Sequence, residues 1–266
     1  MTRNNVMIAG QDGAQPMLFA HGFGCDQHMW RHVAPRFEAD FRVVLFDHVG
    51  VGGSAAAAFD PQRHASLQGY ADDVVGLCHD LGLSDVIFVG HSVSAMIGVL
   101  AARSAPGLFS KLVMIGPSPR YIDDPEGGSY VGGFSEADIN ELLDSLESNY
   151  LGWSAAMAPA IIGNPERPEL GQELTESFCR ADPVIARSFA RATFLSDNRE
   201  DLAKVDVPTL VLQCSNDIIA PVSVGEYVAN EMPNATMVQL AATGHCPNLS
   251  APEETAEAIA AFVRCG

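Results

Sequence analysis

Short apolar runs rich in β-branched residues recur along the chain at 17–20, 42–46, 86–89, 111–115, 209–213 and 236–240. Runs this short, with little polar alternation, predict strands buried on both faces, as in a mostly parallel sheet. Between them, apolar residues recur at helical spacing over 67–81, 93–104, 222–231 and 252–264. The last of these has Ser250 as its predicted N-cap, with Pro252, Glu253 and Glu254 in the first turn, the chemistry a helix start favours. Strands alternating with helices predict an α/β fold in which helices flank both faces of the sheet.

The alternation stops between about 120 and 195. Acidic, helix-like segments at 135–150, 170–179 and 183–194 are separated there by Pro and Gly, with no convincing strand. The predicted organisation is a core formed by 1–119 and 196–266, interrupted by an all-helical insertion, 120–195, after strand 6, the run ending at Ile115. Such an insertion would cover the C-terminal edge of the sheet, where open α/β folds bind ligands, and is read as a lid within the same domain.

Composition narrows the function classes. A chain of 266 residues, 47% of them hydrophobic, is long enough for one such core. The 33 acidic against 15 basic residues give a net charge of -18, which repels phosphate backbones and anionic bilayers. Neither nucleic acid nor a membrane is therefore expected as a partner. No stretch approaches the ~20 apolar residues of a spanning helix, and the start MTRNNVMIAGQDG lacks the pattern of a signal peptide, so the expected location is cytoplasmic. The cysteines, at 25, 78, 179, 214, 246 and 265, have neither C-x-x-C spacing nor a ligand-spaced His. Reduced, mostly buried thiols are expected, with no metal and no other cofactor. The segment DHVGVGGS at 47–54 follows a strand, but its G-x-G-G falls short of G-x-G-x-x-G and reads as a supporting turn.

The strongest chemical signal is VIFVGHSVS at 86–94, an apolar strand running into G-x-S-x-S and then an alanine-rich helix. A serine in such a turn is held exposed above the sheet at the positive end of the helix, which makes Ser92 the candidate nucleophile. The usual pattern ends in Gly; Ser94 stands there instead, with a hydroxyl free to bond near the site. A serine needs a base, and in chain order Ser, Asp, His the base follows the last strand, giving His245 in GHCP. The acid follows the preceding strand, in CSND, giving Asp217. Asp197 and Asp206 precede that strand and would sit on the wrong side of the sheet. Backbone N–H groups of Val93 and of Phe23, in FAHGFG, are the expected oxyanion donors, and His21 is read as a structural hydrogen-bonding residue. Phe23, Tyr121, Phe134, Trp153, Met157, Phe189 and Phe194 are candidate walls of an apolar pocket for an uncharged ligand.

Several strings carry a closer resemblance: HGFGCDQHMW at 21–30, LFDHVGVGGS at 45–54, FVGHSVSAMIG at 88–98, LVMIGPSPRY at 112–121, DPVIARSFA at 182–190 and LQCSNDIIAPVSVGEY with GHCPNLS. Together they resemble the α/β-hydrolase subfamily of RsbQ, a bacterial regulator of the general stress response, and of the plant karrikin and strigolactone receptors. Asn248 departs from it, standing where that loop often carries another His. The resemblance implies an α/β-hydrolase core, a four-helix V-shaped lid over a deep apolar pocket, and a triad of Ser92, Asp217 and His245. It further implies either a serine hydrolase of small apolar esters or lactones, or a slowly hydrolysing ligand sensor with a signalling protein partner.

Overall fold

The computed structural model describes residues 3–126 and 128–264. Cys265 lies outside them. Seven strands form one sheet: β1 (Met7–Gly10), β2 (Pro16–Ala20), β3 (Arg42–Leu45), β4 (Val86–His91), β5 (Phe109–Ile115), β6 (Thr209–Asn216) and β7 (Ala235–Thr243). Their spatial order is β1-β3-β2-β4-β5-β6-β7, all parallel except β1, which runs antiparallel to β3. The six apolar runs of the sequence are β2 to β7. β1 was not among them, although Val6 to Ala9 are all apolar; it is a four-residue edge strand with solvent-facing ends. The strand ending at Ile115 is the fifth of this chain, not the sixth.

Between β3 and β4 lies α1 (Leu67–Asp80), and after β4 comes α2 (Val93–Ser104). After β5 come α3 (Glu136–Ser148), α4 (Tyr150–Ile162), α5 (Pro168–Cys179), α6 (Pro183–Phe194) and the single turn α7 (Arg199–Leu202). The chain closes with α8 (Val222–Glu231), α9 (Pro247–Ser250) and α10 (Pro252–Arg264). Three helices of the 120–195 segment match the predicted spans closely. The fourth, α4, follows from the resemblance but not from periodicity. Its sequence, YLGWSAAMAPAII, has no polar face and contains both Gly152 and Pro159. Ser250 is the last residue of α9 and not the cap of α10; Ala251 separates them, and its carbonyl takes the Thr255 N–H.

Alternation along β2 divides the core. Met17 and Phe19 face a cluster with Trp30, Phe37, Ile259 and the helices after β5, while Leu18 and Ala20 face α1 and α2 through Tyr70, Val74 and Val99. Each fully buried Leu or Phe contributes roughly 1.5–3 kcal/mol relative to exposure, so this sheet is stabilised from both faces. The strand order reverses beside β2, since the chain leaves β2 toward β3 on one side and β4 toward β5 on the other. The crevice where an open sheet binds its ligand therefore lies beyond the carboxyl ends of β2 and β4.

Candidate active site

Everything the sequence marked as reactive sits at that end of the sheet. β4 delivers Ser92 in a backbone conformation of φ 56° and ψ −123°, a sharp turn that non-glycine residues rarely adopt. The turn is fixed by the Ser92 N–H, which donates to Ile115 O at 2.8 Å. Gly22, on the loop after β2, approaches so closely that a Cβ there would lie 2.5 Å from His91 Nδ1 and 3.3 Å from Ser92 Cβ. Only glycine permits this approach, which sets the loop carrying Phe23 against the Ser92 turn. Among the described residues neither the Phe23 nor the Val93 N–H has a protein acceptor.

β6 and β7 supply the partners. Ser92 Oγ donates to His245 Nε2 at 2.7 Å, and His245 Nδ1 donates to Asp217 Oδ2 at 2.7 Å. The carboxylate is acceptor-only, so the proton of the neutral imidazole lies on Nδ1 and leaves Nε2 free to receive one. Burial alone would raise the Asp217 carboxyl, but His245 and the N–H groups of Ile219 and Ala220, at 2.8 and 3.1 Å, hold it below the usual carboxylate range. Of the rivals, Asp197 pairs with Arg199 at the surface, and Asp206 is exposed with its carbonyl bonded to Asn234.

Ser94 has the role its hydroxyl allows. Fully buried, Oγ donates to His21 O at 2.5 Å and accepts from His48 Nε2 at 2.7 Å. Burial, with His21 adding to it, keeps the His48 imidazole neutral, so Nε2 carries the proton. His21 Nε2 accepts from the His48 N–H at 3.0 Å while its Nδ1 donates to Gly22 O at 2.9 Å, a structural role. Asp47 completes the support, accepting from the N–H groups of Gln27 and Gly53 at 2.8 Å each. The 47–54 segment is thus a turn that buttresses the loop after β2.

A small pocket of about 30 Å³ opens onto Ser92 and His245. Of the seven candidate wall residues, Phe23, Tyr121, Trp153 and Phe194 line it. Phe134, Met157 and Phe189 do not. Phe134 pairs its backbone with Tyr121 and Asp123, Met157 is half-buried against the core, and Phe189 stacks on Tyr70 at 4.4 Å between centroids. Phe178, Ile161, Leu174, Thr193 and Ile219 complete the wall together with His91, Cys25 and Cys246. Phe178 was missed although Leu170, Leu174 and Phe178 mark an apolar face on α5, because that spacing shows burial and not which buried residue reaches the pocket. Burial pushes both the Cys25 and Cys246 thiols far up, so they act as apolar lining. Cys78 and Cys214 are buried too, whereas Cys179 is exposed. Burial also pushes the Tyr121 phenol well up, with the Ser92 hydroxyl beside it acting the other way.

Ser92, His245 and Asp217, all buried, are linked by two 2.7 Å bonds at the carboxyl end of a mostly parallel sheet. The chain belongs to the alpha/beta hydrolase family, whose profile matches residues 17–258. Within that family it is 39% identical over 251 residues to the Karrikin insensitive 2 receptor CA of Petunia hybrida, covering 94% of this chain and 92% of that one. It is also 39% identical over 254 residues to Strigolactone esterase D14 of Arabidopsis thaliana, covering 95% and 93%. A solved hydrolase structure from Oleispira antarctica, 39% identical, superposes with a TM-score of 0.96 over 100% of this chain and 96% of that one. Among the described residues, no helix is long and apolar enough to cross a membrane.

Proposed function

We propose that the protein is a serine hydrolase of small apolar carboxylic esters or lactones, with Ser92 as nucleophile, His245 as base and Asp217 as its orienting acid. The observation that carries this reading is the continuous hydrogen-bonded series Asp217, His245, Ser92, opening onto an apolar cavity. Ser92 Oγ attacks the carbonyl carbon as its proton passes to His245 Nε2, and Asp217 stabilises the imidazolium. The N–H groups of Phe23 and Val93 receive the oxyanion. The imidazolium then protonates the departing alkoxide, leaving an acyl group on Ser92; for a lactone the two products stay joined until this ester is cleaved. His245 next takes a proton from water, and the hydroxide attacks the acyl carbonyl to release the acid. Residues 120–195 act as the lid that keeps bulk water from the acyl-enzyme, and the apolar lining excludes charged substrates.

A second reading is favoured by the names of relatives at 39% identity, some of them receptors. In it the same chemistry runs slowly and a bound or hydrolysed lactone alters contact with a signalling protein. Time courses on p-nitrophenyl acetate and a butenolide separate the two. Sustained turnover that vanishes in Ser92→Ala supports the enzyme, whereas a stoichiometric burst with a lasting mass increase supports the sensor. Turnover that survives Ser92→Ala sinks both.

A further inference from the structure

The backbone of His245 is held from two sides. Its N–H donates to Ile161 O at 2.8 Å, within the last turn of α4, and its carbonyl accepts from His91 Nε2 at 2.7 Å. Burial, with His245 adding to it, holds the His91 pKa down to about 3, so this ring is a neutral donor throughout the working range. The contact with α4 is continued by the turn that follows it. Asn164 Nδ2 donates to Ile162 O at 2.8 Å and to Thr243 O at 3.0 Å, bridging the end of α4 and the start of the histidine loop. Arg167 donates to Asn164 Oδ1 at 3.1 Å and to Ser250 O at 2.7 Å, at the far end of that loop. The approach is close enough that a Cβ on Gly244, whose φ is +81°, would lie 1.9 Å from Ile162 O.

Resting on the assignment of His245 as the base, we propose that the turn 163–167 is a strap that sets the reactive position of His245. Asn164 and Arg167 are then positioning residues. They grip the histidine loop at Thr243 and Ser250, on either side of the base, while α4 holds the His245 amide between them. A helix that lines the substrate cavity through Trp153 and Ile161 is thereby tied to the base. Any ligand that displaces α4 pulls on His245, and a misplaced base slows acyl transfer without needing to weaken substrate binding.

The test uses Asn164→Gly, Arg167→Ala and Arg167→Lys in the full-length protein. Asn164 has φ +56°, a conformation glycine adopts without strain, so the first variant removes its three side-chain bonds and leaves the backbone path intact. Two readouts are taken: kcat and KM for p-nitrophenyl acetate per titrated active site, and amide hydrogen exchange over 243–250. The strap predicts kcat down about tenfold with KM within about twofold, since a 1 Å misplacement can cost ~10²-fold. It predicts faster exchange over 243–250 in both Asn164→Gly and Arg167→Ala, and partial recovery in Arg167→Lys, whose ammonium can still donate to Ser250 O. A merely structural role would lower the melting temperature and leave kcat per site unchanged. His245→Ala separates the two claims. If its turnover survives, the assignment of the base has failed. If it is inactive while Asn164→Gly and Arg167→Ala keep wild-type kcat or wild-type exchange, the strap alone is overturned.

Discussion

Replacing Ser94 with alanine tests how the turn around Ser92 is held to the loop after β2. Ser94 is fully buried and makes two hydrogen bonds, to His21 O at 2.5 Å and from His48 Nε2 at 2.7 Å. Alanine fits the space of the Cβ but strands a carbonyl and an imidazole N–H where water does not reach. Each unsatisfied buried group costs about 1–3 kcal/mol, so Ser94→Ala should lose about 3 kcal/mol in all. At the size of this domain, that lowers the thermal midpoint by roughly 6–12 °C. The carbonyl released belongs to His21, two residues before Phe23, so the loop carrying one proposed oxyanion donor loosens as well. Full loss of such a donor costs ~10²–10³-fold in kcat, and a loosened one about tenfold. Thermal melts monitored by circular dichroism and ester hydrolysis at saturation measure the two effects on one preparation. A midpoint within about 1 °C of wild type together with wild-type kcat would refute the argument, because a buried network worth this much cannot be removed silently.

Other expectations follow from the same geometry. Asp217→Asn should leave the fold intact and lower kcat by about 10⁴-fold, because an amide cannot hold the same tautomer of His245; steady-state kinetics decide it. Phe189→Ala should cost about 3–5 kcal/mol by denaturant melt yet leave KM unchanged, since Phe189 packs on Tyr70 behind the cavity. Trp153→Ala, which opens the wall itself, should instead shift preference toward longer acyl chains in an ester series. For pH, burial pushes both Asp73 and Asp217 up, but His64, Arg3 and Arg63 around the first, and His245 and two N–H groups around the second, hold both below the usual carboxylate range. Their stabilisation is complete above the unfolded carboxyl pKa and is lost as pH falls through the lower folded values. The midpoint should therefore fall below about pH 4, and less steeply in Asp73→Asn; a midpoint flat from roughly pH 6 to pH 2.5 would contradict this.

The sheet and the placing of Ser92, Asp217 and His245 at its carboxyl end were legible in the sequence for one reason. A parallel strand buried on both faces leaves an unbroken apolar run, and each run ends where the chain must turn at the site. Ser92, Asp217 and His245 each lie a few residues beyond such an end. The pocket was legible only in part, because the identity of an aromatic does not reveal the face it occupies. Phe189 and Phe194 are five residues apart on α6, roughly 140° around the helix, so one meets Tyr70 and the other the cavity. α4 escaped because a helix apolar all round carries no periodic mark. The anchoring of Ser94 joins residues far apart in the chain and depends on loops whose approach only Gly22 permits. No spacing in the sequence encodes that.

The most direct test of the central claim is to label the protein with a fluorophosphonate and locate the adduct by peptide mass spectrometry in wild type, Ser92→Ala and His245→Ala. A single adduct on Ser92, absent in Ser92→Ala and formed at least ~10²-fold more slowly in His245→Ala, is the predicted result. An adduct on another residue, or labelling of Ser92 at an undiminished rate without His245, would contradict it.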